Sequence, residues 1–141
     1  MLLRRPGQPD QLLLRFVDGR PVSAVTTAFL AWCCERLAAQ GITALLLIWD
    51  NASWHKSQAV QSWIRLHNQT VKRTAQGVRI VRCLLPTKSP WLNPIEPKWV
   101  HGKRAVSASD RRLSAAELEA RVCTYYACPA EAHLLMPKKA A

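Results

Sequence analysis

The most apolar stretch of the chain, LLLIWDNASWH at residues 45–55, joins four aliphatic residues and a tryptophan to Asp50 and Asn51. This run predicts a buried strand over residues 42–49 that ends where the polar residues begin. Open α/β folds bind their ligands at the carboxyl ends of such strands, so Asp50 is the first candidate functional residue. Alternatively, Asp50 only stabilises the turn, as Asp commonly does after a strand.

Apolar residues at helical spacing lie on both sides of this strand. They predict a first helix over residues 23–41 and a second over residues 59–68, followed by a polar, basic surface loop over residues 69–77. A further strand over residues 78–85 would complete a parallel, right-handed strand–helix–strand unit. The apolar face predicted for the first helix consists of Val25, Phe29, Trp32, Cys33 and Leu37.

The two ends of the chain carry weaker signals. The sequence LLLRFV at residues 12–17 predicts a strand, and the DGRP sequence after it predicts a turn. Ser114 and Glu117 form a capping box, which predicts the start of a final helix. We expect residues 1–11 and 129–141 to be flexible ends.

A second unusual stretch, TKSPWLNPIEPKWVHGKRAV, occupies residues 87–106. Its prolines restrict the backbone and predict a rigid loop. A helix can start here with Asn93 as its cap and Glu96 at the third helical position, or it can begin at Pro97 with Glu96 just outside. In both registers, stabilisation of a helix N-terminus is a sufficient reason for a Glu at this point.

The net charge of the chain indicates what kind of partner it binds. Its 20 Lys and Arg residues against 9 Asp and Glu give a formal net charge of +11. A field of this sign attracts polyanions, and nucleic acid is the polyanion we expect. A basic surface that serves only solubility, or one that binds acidic membranes, is the alternative. No segment predicts a membrane span or a signal peptide, so we expect a cytoplasmic protein, associated with the nucleoid if the source is bacterial.

The cysteines are odd in number and lack the paired spacing of a zinc site, which predicts reduced core residues rather than disulfides or metal ligands. They are Cys33, Cys34, Cys83, Cys123 and Cys128.

Asp50 and Glu96 are carboxylates on separate predicted elements of a basic protein. Magnesium prefers oxygen ligands and retains several waters, so a few carboxylates and a substrate phosphate can hold it. Paired divalent ions of this kind assist phosphodiester cleavage. We expect nearby basic side chains to contact the DNA backbone; the candidates are Lys56, Lys88, Lys98, Lys103 and Arg104.

The motifs WDNASWHKS and LPTKSPWLNPIEPKWVHGKRAV together resemble the catalytic domain of DDE transposases, in the insertion-sequence branch of the mariner superfamily. The resemblance makes Asp50 the second catalytic acid and Glu96 the third. It implies a ribonuclease-H-like α/β fold with a central sheet flanked by helices, two Mg²⁺ or Mn²⁺ ions, and cutting and joining of transposon ends. Four further residues of the motifs are expected to support the site: Asn51, His55, Trp91 and Asn93.

Two departures from the family pattern shape the expected function. We expect the family's first catalytic Asp to be missing, because Asp10 lies in a polar leader and Asp18 in a predicted turn, and we expect the family's N-terminal helix-turn-helix region to be absent. The 45 residues between the two acids, numbers 51–95, are also more than expected; the loop at residues 69–77 could absorb the excess. We therefore expect residues 1–141 to form one N-terminally truncated catalytic domain with impaired activity.

Three interpretations remain open from the sequence. The chain can act in transposition with DNA and a partner, either another transposase chain or a missing N-terminal part. It can be a DNA-binding remnant without catalysis, or a different metal-dependent nuclease in which Asp18 joins Asp50. The target DNA and the oligomeric state do not follow from the sequence.

Overall fold

The structure is a computed structural model that describes residues 1–19 and 22–135. None of the helices in these ranges combines the length and apolar character that a bilayer crossing requires. The mixture of helices and strands agrees with the predicted α/β class. In chain order the elements are β1 (Leu2–Leu3), β2 (Gln11–Leu12), α1 (Ser23–Ala38), β3 (Ala44–Trp49), α2 (Gln58–Thr74), β4 (Arg79–Leu84), α3 (Glu96–Ser107) and α4 (Ala115–Tyr125).

The chain divides into two compact units, which we name by the candidate acid that each contains. The Asp50 unit consists of Val17–Ser89 and the C-terminal segment that begins at Leu134. The Glu96 unit consists of Met1–Phe16 and Pro90–His133. Part of the predicted DGRP turn, residues 20–21, and the last part of the predicted flexible end, residues 136–141, lie outside the described residues.

In the Asp50 unit, β3 and β4 are parallel neighbours, with Ala44 opposite Arg79 at one end and Trp49 opposite Leu84 at the other. Helix α1 packs against α2, and α2 packs against β4. The predicted parallel strand–helix–strand arrangement is therefore confirmed. The buried apolar residues of this unit are Leu30, Cys33, Cys34, Leu37, Leu45, Leu47, Trp49, Val60, Ile64, Val78 and Ile80.

Strand β3 is buried on one face only, which corrects the prediction of a wholly buried strand. Leu45, Leu47 and Trp49 are buried, whereas Leu46 is 61% exposed and Ile48 is 52% exposed. Successive side chains of a strand point to opposite faces, so a sheet covered on one side buries only alternate residues. The apolar run was sufficient to predict a strand but not how many layers cover it.

Helix α2 continues two turns beyond its predicted end and includes most of the segment predicted as a loop. Val71 keeps the helical spacing set by Val60 and Ile64, and the backbone turns only at Ala75, which has φ = 54°. The cations of the last turn, Lys72 and Arg73, favour a helix C-terminus. The long interval between Asp50 and Glu96 is therefore partly helix rather than loop.

Helix α1 begins at its predicted residue, ends at Ala38, three residues before the predicted end, and has a different buried face. Its buried residues are Leu30, Cys33, Cys34 and Leu37, whereas Val25, Phe29 and Trp32 are only half-buried. Burial and the neighbouring Glu35 raise the pKa of Cys34 to about 11. Within the described residues all five cysteines are free, and Cys83 is exposed, so the prediction of reduced core cysteines is right for α1 and wrong for Cys83.

The Glu96 unit contains the β1–β2 pair and the packed helices α3 and α4. The predicted strand at residues 12–17 is largely wrong, because the antiparallel ladder pairs Leu2–Leu3 with Gln11–Leu12 and so lies nearer the N-terminus. The capping box of α4 is confirmed: the Ser114 hydroxyl accepts from the Glu117 N–H, and the Glu117 carboxylate accepts from the Ser114 N–H.

Candidate active site

Asp50 follows β3 directly, at the carboxyl edge of the parallel strand pair. The Ala52 N–H donates a 3.0 Å hydrogen bond to Oδ1 of Asp50. This is the contact expected if Asp50 stabilises the turn, which was the alternative to a catalytic role. This contact uses one carboxylate oxygen, and the side chain is 52% exposed. Asp50 therefore stabilises its turn and still presents a carboxylate to solvent.

His55 contacts the same carboxylate. Its Nδ1 lies 2.8 Å from Asp50 Oδ1. The imidazole also stacks on the Trp49 indole, with 4.6 Å between the ring centroids and 11° between their planes. Because Trp49 is the last residue of β3 and is buried, the strand itself supports the histidine ring.

Asn51 fastens this strand end to the neighbouring strand. Its Nδ2 donates a 2.6 Å hydrogen bond to the Leu85 carbonyl, and the Leu85 N–H donates to the Trp49 carbonyl at 2.9 Å. Leu85 follows β4, so both contacts bridge the carboxyl ends of the parallel strands. Asn51 therefore ties the carboxyl end of β3 to that of β4.

The turn after Asp50 leads directly into α2. Ser57 caps that helix, since its hydroxyl accepts from the Val60 N–H, and it receives a 2.7 Å hydrogen bond from the Ser23 hydroxyl of α1. The Ala52 carbonyl accepts from the N–H groups of His55 and Lys56. The path from β3 to α2 is therefore held at several backbone positions.

Glu96 is the first residue of α3, which corrects both predicted registers. The Trp99 N–H donates to the Ile95 carbonyl at 3.0 Å, so Ile95 rather than Asn93 is the cap. Pro97 is accommodated at the second helical position, because N–H groups of the first turn have no intrahelical partner. Glu96 is exposed, and no described residue donates a hydrogen bond to its carboxylate.

The two supporting residues before Glu96 differ in their surroundings. Trp91 lies in a 3-10 turn, Pro90–Leu92, and is 76% exposed. Asn93 accepts a long, 3.4 Å hydrogen bond from the Ile95 N–H through its side chain, and its carbonyl accepts from the Glu96 N–H. Asn93 therefore shapes the turn before α3, whereas Trp91 contributes little to packing.

The predicted DNA-binding cations are all exposed: Lys56, Lys88, Lys98, Lys103 and Arg104. Lys88 has φ = 59°, in the left-handed region. Lys98 lies 3.9 Å from Asp10, which also pairs with Arg4 at 3.2 Å. Exposed ion pairs of this length are weak, so Lys98 stays accessible to a phosphate.

The structure gathers Asp50, Asn51 and His55 at the end of β3, and Glu96 belongs to the other compact unit. Within the described residues no group of three or more His, Cys, Asp or Glu side chains could hold a metal ion. Asp18 accordingly does not complete such a group with Asp50 and His55.

Comparison with protein families shows to which family the chain belongs. The family model described as DDE superfamily endonuclease matches residues 9–119, well over half of the sequence, and the match includes Asp50 and Glu96. The chain belongs to the DDE superfamily endonuclease family. No curated protein and no solved structure matches it. The predicted membership of the DDE superfamily is confirmed.

The sequence did not predict one contact at the candidate site of this DDE superfamily domain. Trp49 was assigned to the apolar run of the strand, but it also carries the stacked ring of His55. The alternation of the strand places Trp49 and Leu47 on the same buried face, and the turn returns His55 to that side. The sequence signal was an aromatic residue directly before the acid and a histidine five residues after it.

Proposed function

We propose that this chain is part of the catalytic domain of an insertion-sequence transposase of the mariner superfamily, with a ribonuclease-H-like fold. It would cleave DNA at transposon ends and join the strands, acting in the cytoplasm on element DNA. The observation that carries this proposal is the family match across both motif acids, together with the Asp50 carboxylate at the end of β3.

Asp50 and Glu96 are the residues that would hold divalent metal, Mg²⁺ or Mn²⁺. Both residues suit such ions because each offers carboxylate oxygens, which Mg²⁺ prefers as ligands, and because both side chains are exposed. Bound in pairs, such ions activate the attacking oxygen and stabilise the leaving oxygen of a phosphodiester. Asn51 and His55 would maintain the position of Asp50, and Asn93 that of the turn before Glu96.

DNA is the proposed substrate and target. The formal net charge of +11 supplies long-range attraction, and the five exposed motif cations would contact phosphates. Trp91, which is largely exposed beside these cations in the sequence, would stack on an unpaired base.

The activity of the chain by itself is proposed to be impaired. Asp50 and Glu96 would be two of the three family acids, and on this proposal neither Asp10 nor Asp18 takes the place of the first. Asp10 already pairs with Arg4 and Lys98 in the Glu96 unit. A strand bearing the first acid would come from another transposase chain or from an N-terminal segment.

Nicking of supercoiled plasmid DNA in Mg²⁺ or Mn²⁺ tests this function. We expect weak, metal-dependent nicking that disappears in Asp50→Asn and Glu96→Gln and persists in Asp110→Asn, which changes an exposed acid outside both motifs. Robust turnover that Asp50→Ala abolishes would show that the first acid is unnecessary or replaced. DNA affinity that depends on salt but not on EDTA or Glu96→Gln, without nicking, would instead favour a non-catalytic DNA-binding remnant.

A further inference from the structure

The carboxylate of Asp50 is held at one of its two oxygens. Oδ1 receives the Ala52 N–H at 3.0 Å and lies 2.8 Å from Nδ1 of His55. Among the described residues, none makes a hydrogen bond to Oδ2. Rotation of the carboxylate would break both contacts to Oδ1, so the direction of Oδ2 is set by its neighbours.

The histidine that makes one of these contacts is itself held in place. Its ring stacks on the Trp49 indole and also meets Trp54 edge to face, with 5.8 Å between the His55 and Trp54 ring centroids and 76° between their planes. Its backbone N–H donates to the Ala52 carbonyl at 3.0 Å. Two aromatic surfaces and a backbone bond thus leave the imidazole little freedom to turn away from Asp50.

The contact also defines which nitrogen carries the proton. An ionised carboxylate only accepts hydrogen bonds, so Nδ1 of His55 must be the donor. In the neutral ring Nε2 is then unprotonated. This arrangement matches the way in which outer side chains orient the ligands of metal sites, where a hydrogen bond to one atom of a ligand directs another atom towards the ion.

We propose that His55 is the positioning residue for Asp50: by holding Oδ1, it directs Oδ2 towards a divalent cation. The proposal rests on the function proposed above, because the direction of Oδ2 matters only if Asp50 binds metal. It goes beyond that function by giving the histidine of the motif a role that acts through Asp50 and not through direct contact with the ion.

Two substitutions separate the parts of this role. His55→Asn retains a short donor near the position of Nδ1 but loses the ring. His55→Phe retains a ring that can stack on Trp49 but loses the donor. If positioning depends on the hydrogen bond, the Asn variant should behave like the unchanged chain and the Phe variant should not.

Binding of Mn²⁺ to the full 141-residue chain is the readout, followed through paramagnetic broadening of amide resonances around Asp50. We expect Mn²⁺ to broaden these resonances in the unchanged chain and Asp50→Asn to remove the broadening. The Mn²⁺ affinity of His55→Asn should be within a few fold of that of the unchanged chain, whereas His55→Phe should lose about 10-fold or more in Mn²⁺ affinity. Equal affinity of His55→Phe and the unchanged chain would overturn the positioning role and leave the metal site intact. If the unchanged chain shows no broadening near Asp50, both proposals fail.

Imidazole ¹⁵N spectra of the metal-free chain test the contact without any variant. We expect His55 to carry its proton on Nδ1, and Asp50→Asn to change that signal. A neutral His55 with its proton on Nε2 would overturn the proposal even if His55→Phe proved unable to fold.

Discussion

The side-chain amide of Asn68 in α2 pairs with both backbone polar groups of Ile80 in β4: Nδ2 donates to the carbonyl and Oδ1 accepts from the N–H, each at 2.8 Å. The side chain amide thus replaces a neighbouring strand on the side of β4 that faces away from β3. Nearby, His67 Nε2 lies 2.8 Å from the Val78 carbonyl. Helix α2 therefore occupies the outer edge of the β3–β4 pair at this point. Within the described residues the other edge of β3 has no strand partner.

Replacement of Asn68 tests how much this contact stabilises the sheet. Asn68→Ala removes two half-buried hydrogen bonds, and we expect the free energy of unfolding to fall by about 2 kcal/mol. Urea denaturation measures the change. Gln69→Ala, at the next and exposed helical position, is the matched control and should be nearly neutral. Equal effects of the two substitutions would contradict a specific role for the amide.

The bridge from Asn51 to the Leu85 carbonyl should also be measurable. Asn51→Ala removes a half-buried 2.6 Å hydrogen bond, and we expect a decrease of about 1 kcal/mol in the free energy of unfolding. Asn93→Ala is the comparison, because its side chain accepts only a 3.4 Å hydrogen bond and its removal should cost less. An Asn51→Ala variant as stable as the unchanged chain would show that water replaces the bridge.

The start of α4 should respond to acid. Hydrogen bonds from Arg111 and then from Ser114 lower the pKa of Glu117 to about 2 from its ordinary value of 4.5. A carboxyl whose pKa is lower in the folded state contributes stability above pH 4.5 and loses it as the pH falls towards 2. Unfolding of Glu117→Gln should therefore depend less on pH across this interval. An unchanged acid profile in the variant would contradict the assignment.

The cations of α3 should contribute to DNA affinity through charge. We expect Lys103→Ala and Arg104→Ala to weaken binding to duplex DNA and to reduce the slope of log affinity against log salt by about 0.9 for each phosphate that the variant no longer neutralises. Lys72→Ala, which removes an exposed cation of α2 outside both motifs, is the control. The same decrease in slope for Lys72→Ala would indicate binding by the overall charge instead of by the motif.

The parts of the fold that were predicted correctly follow from the order and spacing of residues in the sequence. The capping box at Ser114 and Glu117 is an exchange of hydrogen bonds within one turn. The parallel pairing of β3 and β4 follows from a helix of sufficient length between two apolar runs. Hydrogen bonds within one turn are sufficient for the capping box, and the order strand, helix, strand is sufficient to predict the parallel pairing, although its paired residues, such as Ala44 and Arg79, are far apart in the sequence.

The errors arose where distant groups decide the outcome. The one-sided burial of β3 depends on which layers cover the sheet, and Leu46 is as apolar as the buried Leu45. The ladder of β2 lies at Gln11–Leu12 because its partner is Leu2–Leu3, a pairing that the apolar run at residues 12–17 does not specify.

For the candidate site, the sequence by itself determined the identity of both acids, their motifs and the termination of a strand at Asp50. Only the tertiary structure decided that Asp50 is held at Oδ1, that His55 rests on Trp49, and that Asn51 reaches the end of β4. Residue order determines where a strand can end, because backbone preferences act over a few positions. The direction of a carboxylate depends on donors and ring surfaces that folding brings to it.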